Sequence, residues 1–193
     1  FQPAAFEVRV GGKPVYAPAE PLEIPVEARY LFGEPLTQAQ VVWQARATDQ
    51  TIAPEGWENF RFGPGVSDWR LLPTEVSGGG VSRTETVQLT NGSALKITPD
   101  LPFNPVRPQP LAVEFRVEVT DLNQQTIAQV REMVRHSSDF YLGFRWSAGA
   151  ETLLATREPL RFQVVAAGYA GQPWTNSVDV SARLQRVEWK SVA

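Results

Sequence analysis

The chain has 193 residues and a formal net charge of −3, and it contains no run of Lys or Arg, which argues against a nucleic-acid partner. It has no cysteine, which excludes disulfides, thiolate nucleophiles and cysteine-based metal sites. No continuous apolar segment approaches the ~18–20 residues that a membrane-spanning helix needs.

The first half of the chain predicts three alternating strands. Residues 6–10 form the first of them. In the second, every other residue from Leu22 to Phe32 is apolar, and charged residues lie between them, which is the pattern of a strand with one buried face. Pro25 has no amide proton, so we expect this second strand to lie at a sheet edge. A third strand is predicted over residues 40–48.

The segment that follows is rich in Gly and Pro. We expect Trp57, Phe60 and Phe62 to pack back over the core formed by these strands. Residues 69–72 predict a short strand, and residues 73–82, which include three consecutive glycines, predict a flexible loop. The interpretation of this loop as an ordinary surface connection is favoured over that of a protease-sensitive segment.

The second half continues in the same manner. A strand over residues 83–90 ends at an Asn-Gly turn, and a proline-rich stretch at residues 101–110 is too rich in proline for a helix. Residues 111–120 form the second clear alternating strand, and residues 125–134 return as its hairpin partner with a slip of phase near Arg131. Further strands are predicted from residues 139, 160 and 178.

Strands of this length between Gly/Pro turns, without an amphipathic helix, predict an all-β antiparallel sandwich of the immunoglobulin or fibronectin type. We expect a complete sandwich domain over residues 1–136 and the first part of a following domain over residues 137–193. The chain does not open on a signal peptide, so Phe1 is expected to be a cut end from a longer protein.

Several residue groups invite a chemical interpretation, and each has a simpler one. His136, Ser137 and Asp139 contain the residue types of a hydrolase triad, but triads are assembled from distant segments, so a linker is favoured. Asp121 and Asn123 resemble part of a calcium loop that lacks its other acidic ligands, so a hairpin turn is favoured.

Aromatic and acidic residues leave two further alternatives. Trp57, Trp69, Trp146 and Trp174 lie in or near loops and could form a carbohydrate-binding platform, although core packing uses tryptophan freely. The 21 acidic residues offer no pair whose spacing points to glycoside hydrolysis. Glu114 and Glu118 lie on the outward face of the second clear strand with Arg116 between them, and they are interpreted as part of a solvated strand face.

Taken together, five stretches of the chain resemble the bacterial alpha-2-macroglobulins, in the order and spacing of that family. They include the joint between two domains at the start of the chain and an aromatic-Leu-Phe-Gly-x-Pro strand end. The stretches are residues 1–8 (FQPAAFEV), 28–35 (ARYLFGEP), 57–63 (WENFRFG), 138–144 (SDFYLGF) and 184–192 (LQRVEWKSV).

The resemblance implies macroglobulin-like domains from the middle of a large protein that traps host or competitor endopeptidases. In that family a protease cuts a bait segment, and a Cys-Gln thioester then captures the protease covalently. The bacterial members are periplasmic, and many are tethered to the inner membrane by a lipid. This chain has no cysteine for a thioester and no convincing bait segment, so its implied role is structural.

The sequence therefore predicts a non-enzymatic scaffold with no catalytic, cofactor-binding or metal-binding residues and no cofactor. The expected partners are other domains of the same large chain and, through the full-length protein, target proteases. No nucleic acid is expected, and contact with a membrane is expected only through a lipid anchor outside this chain. The alternative function is a carbohydrate-binding or adhesion module of an exported multidomain protein.

Overall fold

The structure is a computed structural model that describes residues 5–63, 80–90, 94–104, 109–146, 159 and 161–182. Every regular secondary-structure element in these ranges is a β-strand, as the alternating sequence predicts. The strands are β1 (Phe6–Val10), β2 (Val15–Tyr16), β3 (Ile24–Tyr30), β4 (Gln38–Asp49), β5 (Arg61–Phe62), β6 (Val81–Thr90), β7 (Leu95–Ile97), β8 (Leu111–Asp121), β9 (Thr126–Arg135), β10 (Phe140–Trp146) and β11 (Phe162–Gly168).

The strands belong to two compact units of the chain. Unit 1 comprises residues 1–51 and 78–139, and unit 2 comprises residues 52–77 and 140–193. The sequence did not predict that a segment between β4 and β6 would join unit 2. The domain limits 1–136 and 137–193 stay a prediction.

Unit 1 is a sandwich of two sheets. One sheet has the strand order β1-β3-β7, and the other has the order β2-β9-β8-β4-β6. Neighbouring strands are antiparallel except for β2, which runs parallel to β9. This arrangement confirms the predicted all-β sandwich.

The core of unit 1 lies between the two sheets. The side chains of β8 alternate between its two faces, so Phe115 and Val117 are buried while Glu114 and Arg116 are exposed. Val26 of β3 belongs to the same core as Phe115, as the sequence predicts. Burial of these apolar side chains is the main favourable term in the stability of the unit.

The prediction that Pro25 marks a sheet edge is wrong, because β3 is the central strand of its sheet. In an antiparallel strand, the N–H and C=O of one residue face the same neighbouring strand. The Pro25 carbonyl accepts a hydrogen bond from the Gly11 N–H at 2.7 Å. The missing N–H of Pro25 therefore also faces β1, which has already ended at Val10. At this position the sheet does not need the missing donor.

The predicted hairpin of β8 and β9 is confirmed, but its predicted slip of phase is wrong, because the pairing is continuous. Arg131 stands opposite the buried Phe115 and so occupies an inward position. Its guanidinium reaches the other sheet, where Nη1 donates to Val10 O at 3.1 Å and Nη2 donates to Gly12 O at 2.6 Å. These bonds accommodate a polar residue on the apolar side without a change of register.

In the described part of unit 2, the strands pair in the order β11-β10-β5. On one face Phe62, Tyr141 and Ala167 are buried, and Trp57 and Phe60 pack against them. The sequence predicts that the aromatic residues of this segment pack over the first core. They pack in unit 2 instead, because β5 pairs with β10.

Other differences concern strands with weak signals. The strand predicted from residue 178 is not found in its described part, residues 178–182, where Val180 is 51% exposed. Apolar alternation becomes a strand only where a neighbouring strand satisfies its backbone groups. The short strands β2, β5 and β7 were not predicted, because two or three residues carry no periodic pattern.

Some predictions fall on residues that the structure does not describe. These are the strand at residues 69–72, residues 73–79 of the predicted loop, the Asn-Gly turn and the segment after residue 182. Residues 80–82 of the predicted loop are described, and there β6 already begins at Val81 instead of at the predicted residue 83. The strand predicted from residue 160 begins at Phe162 as β11.

Candidate functional site

His136, the strongest candidate for acid–base chemistry, lies at the end of unit 1 just after β9. Its side chain is buried, whereas Asp139 is exposed. The backbone N–H of His136 donates to Tyr16 O at 3.0 Å, which continues the parallel pairing of β2 with β9. His136 therefore has a structural position at the sheet, and its burial has a consequence for stability.

We expect unit 1 to lose stability on acidification because of His136. Burial lowers the pKa of its imidazole from the ordinary value of 6.5 by disfavouring the charged form. Below about pH 6.5 the unfolded chain takes up the proton first, so the free energy of unfolding falls until the pH passes the lower folded pKa. Above about pH 6.5 this contribution is fully present.

Urea melts of the parent chain and of His136→Gln at about pH 5 and about pH 7.5 measure this effect. The variant is expected to lose less stability than the parent between the two pH values. An unchanged pH dependence would show that His136 is not the responsible group.

The turn between β8 and β9 uses the carboxylate of Asp121 internally. This residue is only 3% exposed, and its Oδ1 accepts hydrogen bonds from the N–H groups of Asn123 and Gln125, both at 2.9 Å. Its Oδ2 accepts a bond from Asn123 Nδ2 at 3.3 Å. Gln124 adopts a φ of 62° to close the turn. This geometry agrees with the interpretation as a hairpin turn, since the carboxylate stabilises the backbone.

The outer face of the five-stranded sheet is polar, as the sequence predicts. Arg116 Nη2 lies 2.7 Å from Glu118 Oε1 on the same strand. Beside them a depression of about 470 Å³ is lined in part by Arg46, Glu114 and Glu132. Glu114 and Glu132 stand opposite each other on β8 and β9, and both are exposed, so water screens their repulsion. The face has the character of a solvated surface.

The tryptophans considered for carbohydrate binding are engaged within unit 2. Trp57 Nε1 donates to Gly171 O at 2.8 Å. Trp69 lies outside the described residues. The described rings pack in the pairs Trp57–Phe60, Phe140–Trp174, Phe144–Trp146 and Trp146–Phe162. Rings held by one another in this way serve packing, and this favours the structural interpretation.

Gly171→Ala is expected to destabilise unit 2 by about 1–3 kcal/mol. Gly171 has a φ of 90°, and a Cβ there would lie 2.8 Å from Glu55 O. Gly56→Ala is the matched control, because Gly56 has a φ of 83° but no atom within 4 Å of its added Cβ. Hydrogen exchange at the Tyr141 amide measures both variants. Equal losses would show that the close approach to Glu55 contributes nothing.

The sequence predicts no catalytic, cofactor-binding or metal-binding residue, and this stays a prediction. In the described ranges, no group of three or more His, Cys, Asp or Glu side chains is placed to hold a metal ion. No helix in the same part of the chain has the length and apolar character to cross a bilayer.

No family model and no curated protein matches the sequence. Solved structures of two bacterial proteins match the fold. The native conformation of Escherichia coli alpha-2-macroglobulin matches 89% of this chain with a TM-score of 0.58 and 16% identity. The same protein activated by porcine elastase matches 89% with a TM-score of 0.57 and 19% identity. The Y1175G mutant of Salmonella alpha-2-macroglobulin matches 90% with a TM-score of 0.57 and 18% identity.

This chain covers 11%, 15% and 12% of those three chains, respectively. It therefore spans only a small part of the proteins that it resembles. The comparison agrees with the resemblance in the sequence and confirms the macroglobulin-like β-sandwich fold. Because the identities are low, the likeness concerns the fold alone.

Proposed function

We propose that this chain is a structural part of a bacterial alpha-2-macroglobulin and helps to frame a trap for proteases. The observation that carries the proposal is the fold likeness, which extends over 89–90% of the chain in structures from two bacteria. Two of the matching Escherichia coli structures are of the protein activated by elastase or by trypsin. That protein is therefore associated with proteases, and this supports the same association for a longer protein that contains this chain.

The role within such a protein is structural and not enzymatic. The thioester of the resembled family needs a cysteine, and this chain has none. Two buried ionisable side chains in the described ranges also have structural positions: Asp121 closes a turn, and His136 lies at the end of a sheet. These observations support a scaffold whose partners are other domains of the same chain, with target proteases engaged only by the full-length protein.

The location that accompanies this function is the periplasm. The bacterial proteins of the resembled family act there, and many carry a lipid that attaches them to the inner membrane. Such an anchor would lie outside this chain, because the lipid of a bacterial lipoprotein is attached to a cysteine and this chain has none. Fractionation of cells that produce the full-length protein tests the location, and a cytoplasmic pool would contradict it.

The proposed function is tested with a broad-specificity protease and two substrates, a large protein and a small peptide. We expect the full-length protein to protect the large substrate from cleavage. The small substrate should still be cleaved, since a trapped protease remains active. The 193-residue chain alone is expected to protect neither. Unimpeded cleavage of the large substrate in the presence of the full-length protein would refute the trap. Stoichiometric protection by the chain alone would refute the purely structural role.

A further inference from the structure

Strand β6 lies at one edge of the five-stranded sheet of unit 1. In the described ranges its one neighbouring strand is β4, and the pairing of the two is continuous from Val81 to Thr90. We call the other side of β6 the free edge. Proteins usually keep such edges short or interrupt them with proline or a bulge. β6 has ten residues and contains neither, so its free edge is suited to pairing with a further strand.

The hydrogen-bond pattern shows which backbone groups of β6 face the free edge. The Gln50 N–H donates to Pro110 O at 2.8 Å, which continues the register of β4 with β8. Even-numbered residues of β4 therefore bond to β8, and odd-numbered residues bond to β6. Odd residues of β4 stand opposite odd residues of β6. The N–H and C=O groups of the even-numbered residues within 82–88 consequently point outward from the free edge.

Two charged side chains stand on the inward side of this edge strand. Arg83 is opposite Ala45 and Glu85 is opposite Trp43, and both of these β4 residues are buried. Arg83 and Glu85 are themselves exposed, and among the described residues neither forms an ion pair. Inward charges on an edge strand ordinarily oppose pairing with another chain. Here the two charges have opposite signs and are two residues apart, so the effect on pairing depends on the register.

The charge pattern of β6 is complementary to itself in one antiparallel register. In a pair centred on Thr84, Arg83 of each copy stands opposite Glu85 of the other, and Val81 stands opposite Val87. These odd-numbered residues form the pairs without mutual backbone bonds, in which facing side chains are closest. A shift of the centre by one residue places Arg83 or Glu85 opposite its own copy, and like charges in that position are destabilising.

We propose that two copies of this chain associate through their free edges, with β6 antiparallel to β6 in the register centred on Thr84. In this dimer Ser82 and Thr86 exchange backbone hydrogen bonds, and two Arg83–Glu85 ion pairs form between the copies. In the single chain Arg83 Nη1 donates to Ser82 O at 3.3 Å, a long bond that holds the guanidinium along the free edge. The inference concerns the association of unit 1 and does not depend on protease trapping.

Charge reversal in the full 193-residue chain tests the proposal, with sedimentation velocity over a range of concentrations as the measurement. The parent should show a monomer–dimer equilibrium. Arg83→Glu and Glu85→Arg each place like charges opposite one another and should each weaken the dimer about tenfold. They change the net charge in opposite directions, so a loss in both reflects local pairing. The double variant should restore the parent's dissociation constant, and Glu114→Arg, on the exposed face of β8, should leave it unchanged.

Cysteine cross-linking tests the register, because the parent chain has no cysteine. Thr84→Cys meets its own copy at the centre of the pair and should form a disulfide-linked dimer on mild oxidation. Thr86→Cys, on the same edge but opposite Ser82 of the second copy, should stay largely unlinked. Equal linking of the two variants would overturn the register. A parent that stays monomeric while its β8 amides are protected from exchange, or a double charge reversal that fails to restore the dimer, would overturn the proposal.

Discussion

Phe115→Ala is expected to lower the free energy of unfolding of unit 1 by about 3–5 kcal/mol. Phe115 is 0% exposed and lies in the middle of β8, the strand between β9 and β4. Its ring packs on Trp43, with centroids 6.1 Å apart and planes at 26°. Removal of the ring loses its transfer free energy and leaves a cavity that the sheets on either side can only partly close.

The matched control is Glu114→Ala, one residue away on the exposed face of the same strand. It is expected to change stability by no more than about 0.5 kcal/mol. Urea melts of the two variants measure the difference, and the slope with urea should stay close to that of the parent. Equal losses in the two variants would mean that the inward and outward faces of β8 are wrongly assigned.

Asp121→Ala is expected to destabilise unit 1 by about 2–4 kcal/mol, a large effect for a turn residue. The carboxylate is buried and accepts hydrogen bonds from two backbone N–H groups, those of Asn123 and Gln125. Alanine leaves these two N–H donors without their acceptor and removes the bonds that close the turn. Because Gln125 Oε1 also accepts a bond from Ala5 N at 2.8 Å, loosening of the turn is expected to reach the start of the chain as well.

Two variants at the same turn separate the possible causes. Asp121→Asn keeps one oxygen that can accept both N–H bonds, so it should recover much of the loss. Leu122→Ala removes a side chain that is 71% exposed and should cost no more than about 0.5 kcal/mol. Amide exchange at Gln125 provides the local measurement. A cost of Asp121→Ala similar to that of Leu122→Ala would show that the carboxylate does not hold the turn.

The parts of the fold that could be predicted from the sequence are those with a long local pattern. β3, β4 and β8 each alternate apolar and polar residues over seven or more positions. A strand with one buried face requires that alternation, so the pattern predicts both the strand and the side that is buried. This is why the sequence alone could place Val26 and Phe115 in one core.

The incorrect predictions depended on which strands are neighbours. The consequence of Pro25 depends on where β1 ends, and the inward Arg131 depends on two carbonyls of the opposite sheet. Trp57 could be recognised as a packing residue, but not as one that donates to Gly171. These contacts join residues far apart in sequence, and local propensity contains no information about them.

The candidate sites divide in the same way. The absence of cysteine, the single histidine and the isolated Asp-x-Asn pattern were sufficient to predict a scaffold without site residues. The exposure of Leu142, Phe162 and Val164 in unit 2 could not be predicted from the sequence. The alternation of apolar residues along a strand is the same whether or not another layer covers that face.

By itself, the sequence determined that this protein is an all-β sandwich with apolar strand faces, and that it resembles a macroglobulin. Only the tertiary structure decided that residues 52–63 join β10 and β11, and that Val26 of unit 1 is buried whereas Val164 of unit 2 is 39% exposed. The reason is physical: side-chain alternation is a local property of a strand, whereas pairing and coverage depend on the free energy of contacts between distant segments.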